Sequence, residues 1–96
     1  MKIVNVVEYV DDQAKVAAIR PKHREYMEQL RSSGQLIAGG PFLDGSGALF
    51  IYETASIQSA RAIFAADPYS TGRVIAHNEL KEWQLVKATP ELLVVD

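Results

Sequence analysis

The chain has 96 residues, of which 48 % are hydrophobic and 23 % charged, the balance of one globular domain and not of a disordered segment. Its 10 basic and 12 acidic residues leave a net charge of −2 with no basic run, which argues against nucleic acid as a partner. Cysteine is absent, so disulfides, thiolate catalysis and cysteine-based metal sites are excluded, and no apolar run approaches the about 20 residues that cross a bilayer.

The opening MKIVNVVEYV enters a strand directly, without the longer apolar core and small-residue cleavage site of a signal peptide. A cytoplasmic protein with no membrane partner is therefore expected. Ile3, Val4, Val6, Val7 and Tyr9 form a nearly continuous β-branched and aromatic run, the pattern of a strand covered on both faces. Residues 12–19 suit a short helix, and Pro21 suits the first position of a second one, where its missing N–H costs nothing. That second helix should reach about Ser33 and stop at Gly34. Leu36, Ile37 and Ala38 form a second strand leading into GGPFLDGSG, a hairpin composition, and ALFIYE gives the third strand. Thr54 and Ser56 offer N-caps for a helix whose Ile57, Ala60, Ile63 and Phe64 share one face, ending near Asp67-Pro68. A last strand from about Arg73 to Val86 precedes an apolar tail, LLVVD, expected to lie ordered against a neighbouring subunit.

The order β-α-β-β-α-β is the split βαβ plan of ferredoxin-like α+β folds, here a single domain over residues 1–96 with a core at about 2–87 and a tail at 88–96. Right-handed crossovers put both helices on one face of a four-stranded antiparallel sheet. A domain of this size buries only about 60–65 % of the surface its unfolded chain exposes. With the first and third strands apolar on both sides, the uncovered face is expected to meet the same face of a second copy, giving a homodimer or higher homo-oligomer.

The same topology carries four sequence-distant stretches to one edge of the sheet: the helix start with Arg20 and His23, the strand end with Gly39, Gly40 and Pro41, the hairpin with Phe42 and Asp44, and Asp67-Pro68-Tyr69. Taken alone, His23 reads as a half-buried structural histidine, and Asp67 before Pro68 as the N-cap of a short turn. Brought together they are an acid-base dyad. The helix N-terminus favours the neutral imidazole, while the carboxylate favours the charged one and fixes which nitrogen holds the proton. Gly39 and Gly40 allow a ligand close to the backbone, Tyr69 and Phe42 supply an apolar wall, and Arg20 either steers an anionic substrate or reaches a surface carboxylate. Lys22, Arg24, Glu25 and Glu28 read as a solvated helix face, and His77 as a solvent or interface residue. No spacing repeats a metal-ligand set, so no metal and no cofactor are expected.

Four motifs in order carry a resemblance over about residues 2–84. These are R-P-x-H at Arg20 to His23, A-G-x-P-F-L-D across Ala38 to Asp44 with one extra glycine, a glycine before an apolar strand at Gly47 to Ile51, and D-P-Y at Asp67 to Tyr69; Trp83 follows at the end of the last strand. The sequence resembles the YciI-like (YCII-related) family. That resemblance implies a ferredoxin-like dimeric α+β barrel with an active site at a His-Asp pair, carried here onto His23 and Asp67, and one relative that dehydrochlorinates a chlorinated hydroxyhydroquinone. The expectation is a cofactor-independent enzyme of lyase or isomerase type acting on a small cyclic or aromatic, anionic metabolite. Its rival is a non-catalytic dimeric module that binds a small molecule in the same pocket.

Overall fold

The computed structural model describes residues 1–95; Asp96, the last residue of the expected tail, lies outside the described residues. The elements are β1 (Lys2–Tyr9), α1 (Gln13–Ser32), β2 (Leu36–Pro41), β3 (Gly47–Glu53), α2 (Ile57–Ala65), α3 (Pro68–Thr71), β4 (Ile75–Trp83) and a 3-10 turn at Pro90–Leu92. The strands lie in the order β2-β3-β1-β4 with every neighbouring pair antiparallel. The α+β, ferredoxin-like plan read from the order of elements is the fold. Among the described residues no helix is long and apolar enough to cross a membrane.

β1 alternates: Ile3, Asn5, Val7 and Tyr9 are buried, while Val6 and Glu8 are exposed. Its register with β3 sets Val4 against Ile51 and Val6 against Leu49, so an apolar strip runs down the middle of the sheet face turned away from the core. On the covered face Ile3, Val7, Phe50 and Tyr52 join Val16 and Leu30 of α1 and Ala60, Ile63 and Phe64 of α2 in the core. Asn5, a polar residue within the apolar run of β1, is fully buried, donating to the Tyr52 hydroxyl (3.1 Å) and accepting from the Asn78 amide (3.2 Å). Both ends of its amide are thereby satisfied, as burial demands.

Three expectations change. Residues 12–19 and 21–33 do not form two helices; α1 is continuous, with Pro21 inside it. Its buried side chains, Val16, His23 and Leu30, keep helical spacing on both sides of the proline, so core packing overrides a propensity cost of about 3 kcal/mol. Ala17 and Pro21 are both exposed, and the carbonyl left without its i+4 donor lies where water reaches it. Gly39, Gly40 and Pro41 belong to strand β2 and not to the hairpin loop, which is confined to residues 42–46 and held by Asp44 accepting from the Ser46 N–H (2.9 Å). β4 is shorter than the expected 73–86, beginning at Ile75 because Arg73 has a left-handed backbone (φ 59), which no strand accommodates. Beyond it, Leu92, Leu93, Val94 and Val95 of the tail stay exposed within the single chain.

Two glycines give a contrast that tests the packing. A Cβ at Gly47 would run into the Val7 carbonyl of the neighbouring strand, whereas one at Gly40 meets nothing within 4 Å. Gly47→Ala is expected to cost about 3 kcal/mol of stability in urea unfolding through overpacking against backbone, and Gly40→Ala to leave the midpoint within about 0.5 kcal/mol of the parent.

Candidate functional site

Asp67 is the N-cap of α3, and its Oδ1 accepts the Tyr69 backbone N–H at 2.9 Å. α1 packs across α3, and the same Oδ1 lies 2.8 Å from His23 Nδ1. Asp67 is fully buried and His23 nearly so. Because a carboxylate oxygen only accepts, the hydrogen between it and the imidazole belongs to Nδ1, and in the neutral ring Nε2 is left as the acceptor. One oxygen therefore does both jobs; Asp67 Oδ2 and Ser70 Oγ have no partner among the described residues.

The helix-terminus argument for His23 does not hold. With α1 starting at Gln13, His23 lies well beyond the first turn, where the macrodipole no longer acts appreciably. Stacking fixes the ring instead. Tyr69 lies parallel to it (centroids 3.8 Å apart, planes at 12°), with Phe50 tilted on another side at 5.2 Å. Tyr69 in turn accepts from Arg20 Nε at 2.9 Å, an interaction that favours the charged guanidinium, and meets Tyr9 edge-on at 5.3 Å.

These groups open onto a cavity of about 600 Å³. His23, Arg20, Gly39, Gly40, Pro41 and Tyr69 all line it, and Asp67 stands behind His23. Phe42 does not: it borders a smaller hollow of about 280 Å³ on the open side of the sheet, with Val6 and the exposed His77. Sequence reasoning missed Tyr9, Arg24, Met27, Glu28 and Arg31, which also line the main cavity, as do Leu36, Ala48 and Phe50. The signal was the spacing 20, 24, 27, 31, one stripe of a helix, hidden by dividing that helix at Pro21. Arg24 and Glu28 are exposed, as a solvated face requires, yet they stand at the cavity mouth. The tail reaches the same mouth at Val95. Among the described residues no three His, Asp or Glu side chains gather as a metal site would need.

A family profile for the YCII-related domain matches residues 1–84, and the chain belongs to that family. It is 32 % identical over 65 residues to the uncharacterized protein YjpA of Bacillus subtilis (strain 168), a match covering 68 % of this chain and 75 % of that one. Among solved structures it is similar to the 5-chloro-2-hydroxyhydroquinone dehydrochlorinase TftG of Burkholderia phenoliruptrix AC1100, in complex with 2,5-dihydroxybenzoquinone. The TM-score there is 0.78 at 20 % identity, over 88 % of this chain and 94 % of that one. An antibiotic biosynthesis monooxygenase follows at TM-score 0.56 and 20 % identity, covering 91 % of this chain and all of its own. At these identities the two structures bear on the fold.

Burial, and then the neighbouring Tyr69 hydroxyl, push the Tyr9 phenol from its ordinary 10.0 up to about 12, and burial raises Tyr52 as well. The folded protein thus keeps protons that the unfolded chain gives up near pH 10, so stability present below pH 10 is lost as pH rises toward 12. Urea unfolding at stepped pH should show that decline, and Tyr9→Phe should make it shallower by up to about 1.4 kcal/mol per pH unit.

Proposed function

We propose that this protein is a cofactor-independent enzyme of lyase or isomerase type, acting on a small cyclic or aromatic, anionic molecule. The observation that carries the reading is a buried imidazole, oriented through Nδ1 by a buried carboxylate, on the wall of a cavity large enough for one ring-sized ligand. His23 Nε2 takes a proton from the substrate. It returns that proton to another atom in an isomerisation, or keeps it while a leaving group departs with its electron pair in an elimination. Asp67 orients the ring and stabilises the imidazolium that forms. Arg20, held by Tyr69, meets an acidic substituent, and Gly39 and Gly40 on the edge strand β2 let the substrate approach the backbone, where an N–H on the free edge can meet developing oxyanion charge. Tyr69 and Pro41 form part of the wall. That a structurally similar protein is a dehydrochlorinase of a small aromatic compound supports the elimination form.

The test is proton exchange. Incubated in deuterium oxide with a panel of hydroxyquinones and cyclic acids, the wild-type protein is expected to exchange or eliminate at carbon for at least one compound, read by mass spectrometry. His23→Gln should slow that reaction by about 10²-fold or more while still binding the compound. Binding without exchange in the wild type would mean that the pocket carries or senses its ligand, and equal turnover in His23→Gln would remove His23 as the base.

The assembly belongs to the same proposal. The strip of Val4, Val6, Leu49 and Ile51 covers the middle of an uncovered sheet face, with Val6 45 % exposed, and a second copy of the chain laid face to face would remove it from water. The exposed tail, Leu92 to Val95, offers that partner a second apolar surface. Light scattering at micromolar concentration is expected to give twice 10.6 kDa or a multiple, and Val6→Lys to lower it. A wild-type monomer overturns the dimer.

A further inference from the structure

We infer that the ligand of this cavity is a short, rigid diacid, with one acidic group at Arg20 and the second at Arg24. The inference rests on reading the cavity as the ligand site and goes beyond it in naming the two charges. Arg20 and Arg24 are four residues apart on one stripe of α1, roughly 6 Å along the axis, and both line the cavity. Between them and the opposite wall, Met27, Ala48 and Phe50 make an apolar bed for a flat body.

The charges near Arg24 are arranged in an informative way. Glu28 lies four residues beyond it and is the natural partner to neutralise it. Glu28 is instead taken by Arg31 in a two-point pair, Nε to Oε2 at 2.9 Å and Nη2 to Oε1 at 2.6 Å. Among the described residues Arg24 therefore meets no carboxylate. Arg20 meets none either; its Nε is spent on the neutral Tyr69 hydroxyl. A chain of net charge −2 thus lines this cavity with three arginines against one glutamate. Such a field gathers anions, and two guanidiniums that meet no carboxylate among the described residues, four residues apart on one helix, favour those carrying a second charge.

Isothermal titration of the full-length protein with terephthalate and with 4-methylbenzoate, which share a ring and differ by one carboxylate, reads the difference. Terephthalate is expected to bind at least tenfold more tightly. Arg24→Gln should abolish that ratio and leave 4-methylbenzoate unchanged, Arg20→Gln should weaken both probes, and Arg61→Gln, on α2 outside the cavity, should alter neither. Equal affinity of the wild type for the two probes, a ratio that survives Arg24→Gln, or no binding of either at millimolar concentration overturns the inference. A preserved diacid preference in a protein that exchanges no proton would sink the catalytic reading alone, and active exchange without diacid preference would sink only this one.

Discussion

A single carboxylate oxygen organises this site. Asp67 is fully buried, and a charged group taken out of water is tolerated only when hydrogen bonds replace its hydration. Its Oδ1 finds two donors, one from the first turn of α3 and one from the middle of α1, and so ties together segments 44 residues apart in sequence. The cap closes the turn that carries Tyr69. The turn lays Tyr69 flat on His23, and the Tyr69 hydroxyl then receives Arg20. Removing that oxygen would leave two buried N–H groups without an acceptor, at about 1–3 kcal/mol each. Helix cap and imidazole partner are therefore the same atom, and the capping role of Asp67 does not compete with its pairing to His23.

Much of this was visible in the residues because the strongest signals were local. The element order follows from strand-length apolar runs, from Ser56 as an N-cap and from Gly34 as a stop in the left-handed conformation (φ 78). The pairing of His23 with Asp67 follows from that order, since the topology carries the ends of distant elements to one edge. Pro21 misled, because its local preference for a helix start is real but smaller than the packing of a stripe that continues across it. Dividing the helix there also broke the spacing that puts Arg24 and Arg31 beside Arg20, so two of the cavity's three arginines went unread. Phe42 was placed by proximity in sequence to Gly40 and Pro41. An alternating strand followed by a tight turn sends neighbours to opposite sides of a sheet, and the hairpin takes Phe42 to the other hollow. Asn5 gave no signal at all: a polar residue in an apolar run is read as outward-facing unless its partners, Tyr52 and Asn78, are known to lie beside it.

Fold likeness places a dehydrochlorinase and a monooxygenase on this same scaffold at 20 % identity each, which shows how little the scaffold decides. What distinguishes one chemistry from another is the set of side chains turned into the cavity. Here that set is an oriented imidazole, two phenols, three arginines beside one glutamate, and an apolar floor.

Asp67 holds the His23 proton on Nδ1 and leaves Nε2 as the acceptor of the ring. Nitrogen-15 correlation spectra of the imidazole, taken at a pH where the ring is neutral, report that tautomer directly. A His23 ring protonated on Nδ1 is expected in the wild type, and a loss of that preference in Asp67→Ala, which removes the accepting oxygen. A wild-type ring protonated on Nε2, or one whose tautomer is unchanged in Asp67→Ala, would contradict it.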